Sequence, residues 1–175
     1  AGHSDGVGSE KWLLALAFVD QAVRTFLDQL PKGTRFWMTA DHGMVNVEGK
    51  LILGRENSLL EGVALVAGEP RARHLYSEDR FLEGNGPSDV AENWRGTLGD
   101  AVEIYTRQEA IDANLFGSFV SHDASERMGD LVAIAQGGVI FVDPLRVNLE
   151  SAMVGHHGAM TDVEKFVPLG TALIS

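Results

Sequence analysis

The stretch Ser9–Gly43, SEKWLLALAFVDQAVRTFLDQLPKGTRFWMTADHG, decides the fold class of this 175-residue chain. Apolar residues recur every three or four positions over 9–30, which predicts an amphipathic helix. Pro31–Gly33 then ends the helix, and the aromatic-rich segment 34–40 predicts a buried strand. A helix, a tight loop and a strand in this order predict a layered α/β domain with a mainly parallel or mixed sheet.

The rest of the chain predicts short elements of the same kind, within one domain over residues 1–175. Apolar runs on either side of turn residues predict two strand–turn–strand units, 62–68 with 73–77 and 130–135 with 139–142. Further predictions are a loop over 81–89, a helix over 88–96 capped by Ser88 or Asp89, a strand over 101–106 and a helix over 107–114. The segment Thr161–Glu164 has the T-x-x-E pattern of a helix capping box.

Composition excludes several classes of protein. The chain has no cysteine, so a disulfide framework, a thiolate nucleophile and a Cys-ligated metal site are excluded, and any metal must be held by His, Asp or Glu. The longest apolar run, Trp12–Val19, is shorter than the ~20 residues that span a bilayer. A formal net charge of −11 argues against a nucleic-acid-binding surface. It leaves a small phosphorylated substrate open, because bound cations can invert the local field.

The candidate chemistry lies in histidines with glycine neighbours. Glycine lets the backbone approach closely, so that the adjacent side chain can be directed at one point. The pair Asp41-His42 directly follows the predicted strand 34–40, and ligand sites in α/β sheets form at the carboxyl ends of strands. On the dipeptide alone, a turn Asp with an exposed His is the simpler interpretation.

Three motifs in order change that interpretation: Gly2-His3-x-x-Gly6, Ala40-Asp41-His42-Gly43-Met44 and Gly155-x-His157-Gly158. Together they resemble the C-terminal half of the type I phosphodiesterase/nucleotide pyrophosphatase branch of the alkaline phosphatase superfamily. The resemblance covers most of the chain, although residues 81–125 add little to it. It implies the C-terminal part of a single metallohydrolase domain with an alkaline-phosphatase-like α/β/α fold, incomplete at its N-terminus.

The resemblance also implies a set of metal ligands. One zinc would be held by His3, by His157 and by an Asp that would fall just upstream of Ala1. The second would be held by Asp41 and His42, with a further Asp and a Thr or Ser nucleophile from the N-terminal half. The implied cofactors are two divalent cations, zinc in the first place. The implied partners are that missing half and a small phosphorylated substrate.

The leading hypothesis is therefore metal-dependent hydrolysis of phosphodiester or pyrophosphate bonds in nucleotide-type substrates. Two cations about 3.5–4 Å apart can neutralise the entering and leaving oxygens of an in-line displacement. A phosphomonoesterase, sulfatase or phosphomutase relative is an open alternative, because the fold does not fix the substrate. A non-catalytic module is another, since the chain alone lacks the nucleophile and we expect it to be inactive. The sequence indicates no compartment.

Other polar residues have simpler interpretations. We expect His156 to lie behind the ligands or to face solvent, and His74 to be a packed, hydrogen-bonded residue of a strand. The pair His122-Asp123 resembles the ligands of another phosphohydrolase group, but the further ligands of that group are missing. Arg71 and Arg73 flank a predicted turn, which favours the solvated edge of a hairpin over a phosphate contact.

Overall fold

In the computed structural model, which describes residues 1–78 and 86–175, short helices and strands alternate along the chain. The helices are α1 (Gly2–Asp5), α2 (Glu10–Leu27), α3 (Pro87–Leu98), α4 (Arg107–Asp112), α5 (His122–Arg127), α6 (Val147–Glu150) and α7 (Asp162–Lys165). The strands are β1 (Arg35–Thr39), β2 (Val45–Asn46), β3 (Gly49–Ile52), β4 (Val63–Glu69), β5 (Ala72–Ser77), β6 (Val102–Thr106), β7 (Leu131–Ala135), β8 (Val139–Val142), β9 (Gly155–His156) and β10 (Leu169–Leu173). Among the described residues, no helix is long and apolar enough to cross a membrane.

The strands pair in a mixed pattern, and this confirms the predicted α/β class. Strands β4, β5, β7 and β6 form a four-stranded antiparallel sheet in that order. Strand β3 pairs with β8 in parallel, whereas β1 with β10 and β2 with β9 are antiparallel pairs. The chain divides into two compact units, residues 1–46 with 152–175 and residues 47–151.

The first unit contains α2 and the β1–β10 pair. Ser9 caps α2, because its hydroxyl accepts a hydrogen bond from the Trp12 N–H at 3.1 Å. The predicted helix is confirmed, but none of its residues is buried. The prediction of a buried strand over 34–40 is wrong for β1, whose Trp37 is 62% exposed. Four of its five side chains are exposed, because the described residues leave the faces of β1 uncovered.

The second unit holds the hydrophobic core. Trp94 of α3 is fully buried, its ring meets that of Phe141 edge-on with centroids 5.3 Å apart, and its Nε1–H donates to Leu59 O. Helix α3 begins one residue before the expected cap, with Gly86 as N-cap, and the Asp89 carboxylate accepts from the Gly86 N–H. Most of the loop predicted over 81–89 lies outside the described residues.

Only the first of the two predicted strand–turn–strand units forms a hairpin. Strands β4 and β5 pair antiparallel on either side of a tight turn, as predicted. Strands β7 and β8 exist but do not pair with each other, so that prediction is wrong. All five residues of β7 are buried. Strand β7 lies between β5 and β6, so both of its edges are paired, and β8 pairs with β3 instead.

The two arginines of this hairpin are buried, which corrects the prediction of a solvated edge. Arg71 and Arg73 are 0% and 1% exposed. Arg71 Nη1 donates to the carbonyls of Gly137 and Val139, both at 2.7 Å. Arg73 donates to the carbonyl of Phe141 and forms a buried ion pair with Glu150. Most of these acceptors lie in the turn before β8 and in β8 itself. Because β8 is more than 60 residues away in the sequence, local patterns could not predict these contacts.

Candidate metal centre

Three chain segments that are distant in sequence meet around the predicted ligands. Strand β2 pairs with β9 so that Val45 faces His156, and the Val154 N–H donates to His3 O at 2.7 Å. The pairing places the loop after β9, which carries His157, beside both α1 and the turn after β1. All of these segments belong to the unit formed by residues 1–46 and 152–175.

The histidine rings in this unit are in direct contact. The rings of His42 and His157 are stacked, with centroids 3.5 Å apart and planes 16° apart. The His3 ring centroid is 5.4 Å from that of His157, with the planes inclined at 58°. The structure thus brings together the three histidines that were predicted as ligands, and Asp41 is adjacent to one of them.

Two of the imidazoles are held in one tautomer by backbone carbonyls. His3 Nδ1 lies 2.9 Å from Gly155 O, and His42 Nδ1 lies 2.7 Å from Gly43 O. A carbonyl oxygen only accepts, so each Nδ1 must carry the proton. The Nε2 atom of the neutral ring then has a free lone pair, and this is the usual arrangement of a metal-binding histidine.

Asp41 is an exposed carboxylate beside His42. Its Oδ1 accepts from the His42 N–H at 3.0 Å, and its Oδ2 lies 3.6 Å from His42 Nε2. The backbone N–H groups of Asp41 and His42, and secondarily the His42 ring, lower the pKa of the Asp41 carboxyl below its ordinary value of 3.8. Asp41 is therefore ionised at neutral pH, as a metal ligand must be.

These donors fit zinc by type and by spacing, although they do not complete a ligand set. Zinc takes imidazole nitrogen and carboxylate oxygen at about 2.0–2.2 Å, so one ion can bridge two ligand atoms that are about 3.6 Å apart. Within residues 1–78 and 86–175, no group of three or more His, Asp or Glu side chains could by itself hold a metal ion. A complete ligand set would therefore need donors beyond the described residues.

The glycines next to the ligands are required by close backbone approaches. A Cβ on Gly43 would lie 1.8 Å from Val163 O, and one on Gly155 would lie 2.5 Å from Gly2 O. Real Cβ atoms essentially never come within 3.0 Å of another heavy atom, so a side chain at either position forces two segments apart. Gly43, directly after His42, and Gly155, two residues before His157, must be glycine for the segments to meet as they do.

The remaining histidines lie where their packing explains them. His156 in β9 is buried, at 3% exposed, and its ring centroid lies 6.4 Å from that of the predicted ligand His3. His74 lies in β5 and its Nδ1 accepts from the Gly129 N–H at 3.1 Å, which confirms the structural interpretation. Burial lowers the pKa of His74 below its ordinary value of 6.5. His122 is an exposed first residue of α5, in the other unit.

Sequence reasoning missed the part that Glu164 plays in this arrangement. The T-x-x-E pattern predicts the capping box of a short helix, but Thr161, the N-cap of α7, makes no side-chain cap hydrogen bond. The Glu164 carboxylate instead accepts from the Ala159 N–H and from the Thr161 hydroxyl. The only signal in the sequence was the short distance along the chain from His157 to Glu164.

The comparisons with known proteins agree with the motifs. A family model described as type I phosphodiesterase / nucleotide pyrophosphatase matches residues 1–160. A search of the curated proteins gives no match.

Solved structures with the same fold include murine and human ectonucleotide pyrophosphatase/phosphodiesterase 5. The murine protein, solved alone and as an inactive form in complex with AMP, is 17% identical and superposes with a TM-score of 0.72 over 96% of this chain. The human protein is 16% identical, also with a TM-score of 0.72, over 97% of this chain. The chain spans 43% of the length of each of these proteins.

Proposed function

Since this chain belongs to the type I phosphodiesterase / nucleotide pyrophosphatase family, we propose that its protein hydrolyses phosphodiester or pyrophosphate bonds of nucleotide-type substrates at a two-metal site. Membership of the family supports a hydrolase of the phosphodiesterase or pyrophosphatase type. The observation that carries the finer proposal is the meeting of His3, His42 and His157 from three distant segments. The Nδ1 atoms of His3 and His42 each face a backbone carbonyl, which is the usual arrangement of metal-binding histidines.

The stacking of two rings supports two cations rather than one. The lone pair of an imidazole nitrogen lies in the plane of its ring. Because the planes of His42 and His157 are only 16° apart and the ring centroids are 3.5 Å apart, the two lone pairs cannot both point at a single ion. His42 with Asp41 would hold one cation, and His157 with His3 would hold the other. Two cations about 3.5–4 Å apart are the usual arrangement for phosphoryl hydrolysis.

Zinc is the cation that this donor set favours. The chain contributes imidazole and carboxylate and has no cysteine, a combination that suits zinc and related borderline ions. When bound, the cations supply neutralisation of the charge on the phosphoryl oxygens and a lowered pKa for the attacking hydroxyl. The residues of this chain hold the ligand atoms in place, and Asp41 adds a negative charge that stabilises a cation.

The other ligands and the hydroxyl nucleophile would come from the N-terminal half of the same domain. The structures with the same fold are more than twice as long as this chain, which spans 43% of their length. The first unit also has large apolar side chains at its surface. Phe18 of α2 is 75% exposed and Trp37 of β1 is 62% exposed, as expected of a surface that further chain covers. The AMP in complex with the inactive murine protein supports a nucleotide substrate here.

The experiment measures the rates at which the full-length protein hydrolyses phosphate esters, with zinc present and after chelation. We expect bis(p-nitrophenyl) phosphate to be hydrolysed faster than p-nitrophenyl phosphate, and both activities to be lost with the metal and restored by zinc. Preference for the monoester or for a sulfate ester would favour the alternative relatives instead. Full activity after chelation would refute a metal-dependent mechanism.

Matched substitutions test the ligands. Asp41→Asn should lower kcat/KM for the diester by more than about 100-fold, since even residues behind the ligands of a metal site cost 10–100-fold. Asp123→Asn replaces an exposed aspartate that also adjoins a histidine, and it should leave the activity unchanged. Equal effects of the two substitutions would refute the assignment of Asp41.

A further inference from the structure

One buried glutamate contacts both of the loops that carry the predicted ligands. Glu164 is 3% exposed and lies in α7. Its backbone carbonyl accepts from the Gly43 N–H at 2.8 Å, and its side-chain Oε1 accepts from the Ala159 N–H at 3.0 Å. Gly43 follows His42 directly, and Ala159 is two residues after His157. A single residue therefore bonds to the turn after β1 and to the loop after β9.

Each of these contacts is made by a residue close in sequence to one of the predicted ligands. The carbonyl of Gly43, whose N–H is bonded to Glu164, accepts from His42 Nδ1 at 2.7 Å and so fixes the ring of His42. Ala159 is itself buried, at 5% exposed, so its N–H would be unsatisfied without the carboxylate. The loop after β9 would then lose the bond that holds it beside His42.

Both side-chain oxygens of the buried Glu164 accept hydrogen bonds from other residues. Thr161 donates its hydroxyl to the other carboxylate oxygen, Oε2. The backbone of α7 passes so close to Gly43 that a Cβ there would also lie 3.2 Å from Glu164 Cα. Removing a buried acceptor leaves its donor unsatisfied, which costs more than the loss of a solvated hydrogen bond. Glu164 thus has more effect on the relative position of the two loops than a solvated capping residue would.

We propose that Glu164 is a positioning residue that holds the Asp41-His42 turn and the His157 loop together, so that the two ligand pairs form with the spacing that two cations need. The inference rests on the proposed function, because it assigns Glu164 a part in metal binding. The positioning itself is a property of this chain and can be measured without metal.

The experiment uses the full-length protein, with Zn²⁺ alone as the probe. Zinc affinity is measured by competition with a chromophoric chelator, and amide exchange of Gly43 and Ala159 is measured in the metal-free protein. Glu164→Ala should weaken zinc affinity by about 10–100-fold. It should also speed exchange at Ala159 by about 10-fold or more, since the hydrogen bond from the Ala159 N–H is lost.

Two further variants keep the proposal testable if the alanine variant does not fold. Glu164→Asp keeps the charge but withdraws the oxygens by one methylene from Ala159, so it should weaken zinc binding as well. Glu164→Gln keeps an oxygen that accepts from the Ala159 N–H, so it should recover most of the affinity. Unchanged zinc affinity and unchanged exchange in Glu164→Asp would overturn the proposal.

Glu150→Ala is the matched control. Glu150 is also a buried carboxylate, at 5% exposed, but its partners are Arg73 and the Asp143 N–H in the unit formed by residues 47–151. It should cost stability and leave zinc affinity within about 2-fold, because residues that share no partners act independently. An equal loss of affinity in Glu150→Ala would show that general destabilisation is the cause and would overturn the proposal.

Failure of the proposed function has a different signature. If the wild-type protein binds no zinc, or if His42→Ala binds zinc as tightly as wild type, then the two-metal proposal fails. If the wild type binds zinc and His42→Ala does not, but Glu164→Asp is unchanged, then only the role of Glu164 fails.

Discussion

Replacing Gly43 by alanine tests whether α7 must lie against the turn that carries Asp41 and His42. The added Cβ would lie 1.8 Å from the carbonyl oxygen of Val163. Nonbonded heavy atoms are ordinarily about 3.5 Å apart, so the turn and α7 would have to separate by roughly 1.5 Å. Gly43 does not have a positive φ, so lack of space is the only reason that alanine is excluded.

The structure gives a magnitude for the effect. A shift of this size breaks the 2.8 Å hydrogen bond from the Gly43 N–H to Glu164 O. Loss of that bond and the strain of overpacking together cost about 2–4 kcal/mol of folding free energy. His42 moves with its neighbour, and a displacement of about 1 Å at a catalytic group costs on the order of 100-fold in rate.

The assay is kcat/KM for bis(p-nitrophenyl) phosphate on the zinc-saturated full-length protein, together with urea unfolding. Gly96→Ala is the control, because a Cβ at Gly96 in α3 would meet nothing within 4 Å. Alanine is favoured over glycine in a helix by about 0.5–1 kcal/mol, so this variant should be slightly more stable and fully active. Activity and stability of Gly43→Ala within about 2-fold and 0.5 kcal/mol of wild type would refute the reasoning.

The other predictions concern stability in the unit formed by residues 47–151. Trp94→Ala removes a fully buried ring and should lower the free energy of unfolding in urea by about 3–5 kcal/mol; a loss under 1 kcal/mol would contradict the core assignment. Because burial lowers the pKa of His74 from 6.5, protonation is opposed only in the folded state, so stability should be highest above pH 6.5 and decline as the pH falls below it. The decline should shrink in His74→Asn, whose amide oxygen can accept from Gly129, and an identical pH profile would exclude His74 as its cause. Arg73→Ala leaves the Glu150 carboxylate buried without its ion-pair partner and should lower the free energy of unfolding by about 3–5 kcal/mol. The double variant Arg73→Met with Glu150→Leu should lower it by less. A larger loss in the double variant would contradict this account of the ion pair.

The errors of sequence reasoning concern elements whose partners are distant in the chain. Arg71 and Arg73 follow Pro70 in a turn, and nothing near them in sequence shows that β8 supplies carbonyls to their guanidinium groups. In the same way, the apolar runs of β7 and β8 fit a hairpin locally. Pairing is decided by which strand edges remain free, and β5 and β6 occupy both edges of β7.

The sequence by itself indicated which residues could carry chemistry and where most of the longer helices and strands form, although α5, β3 and β10 were not predicted. Periodicity, turn residues and the glycines beside His3, His42 and His157 are local features, and local features can be read from a chain in order. The tertiary structure alone decided that the His42 and His157 rings stack, that the His3 ring contacts the Gly155 carbonyl, and that Glu164 bonds to both loops. Each of these arrangements depends on segments that are far apart in the sequence and that only packing brings together, and no local pattern contains that information.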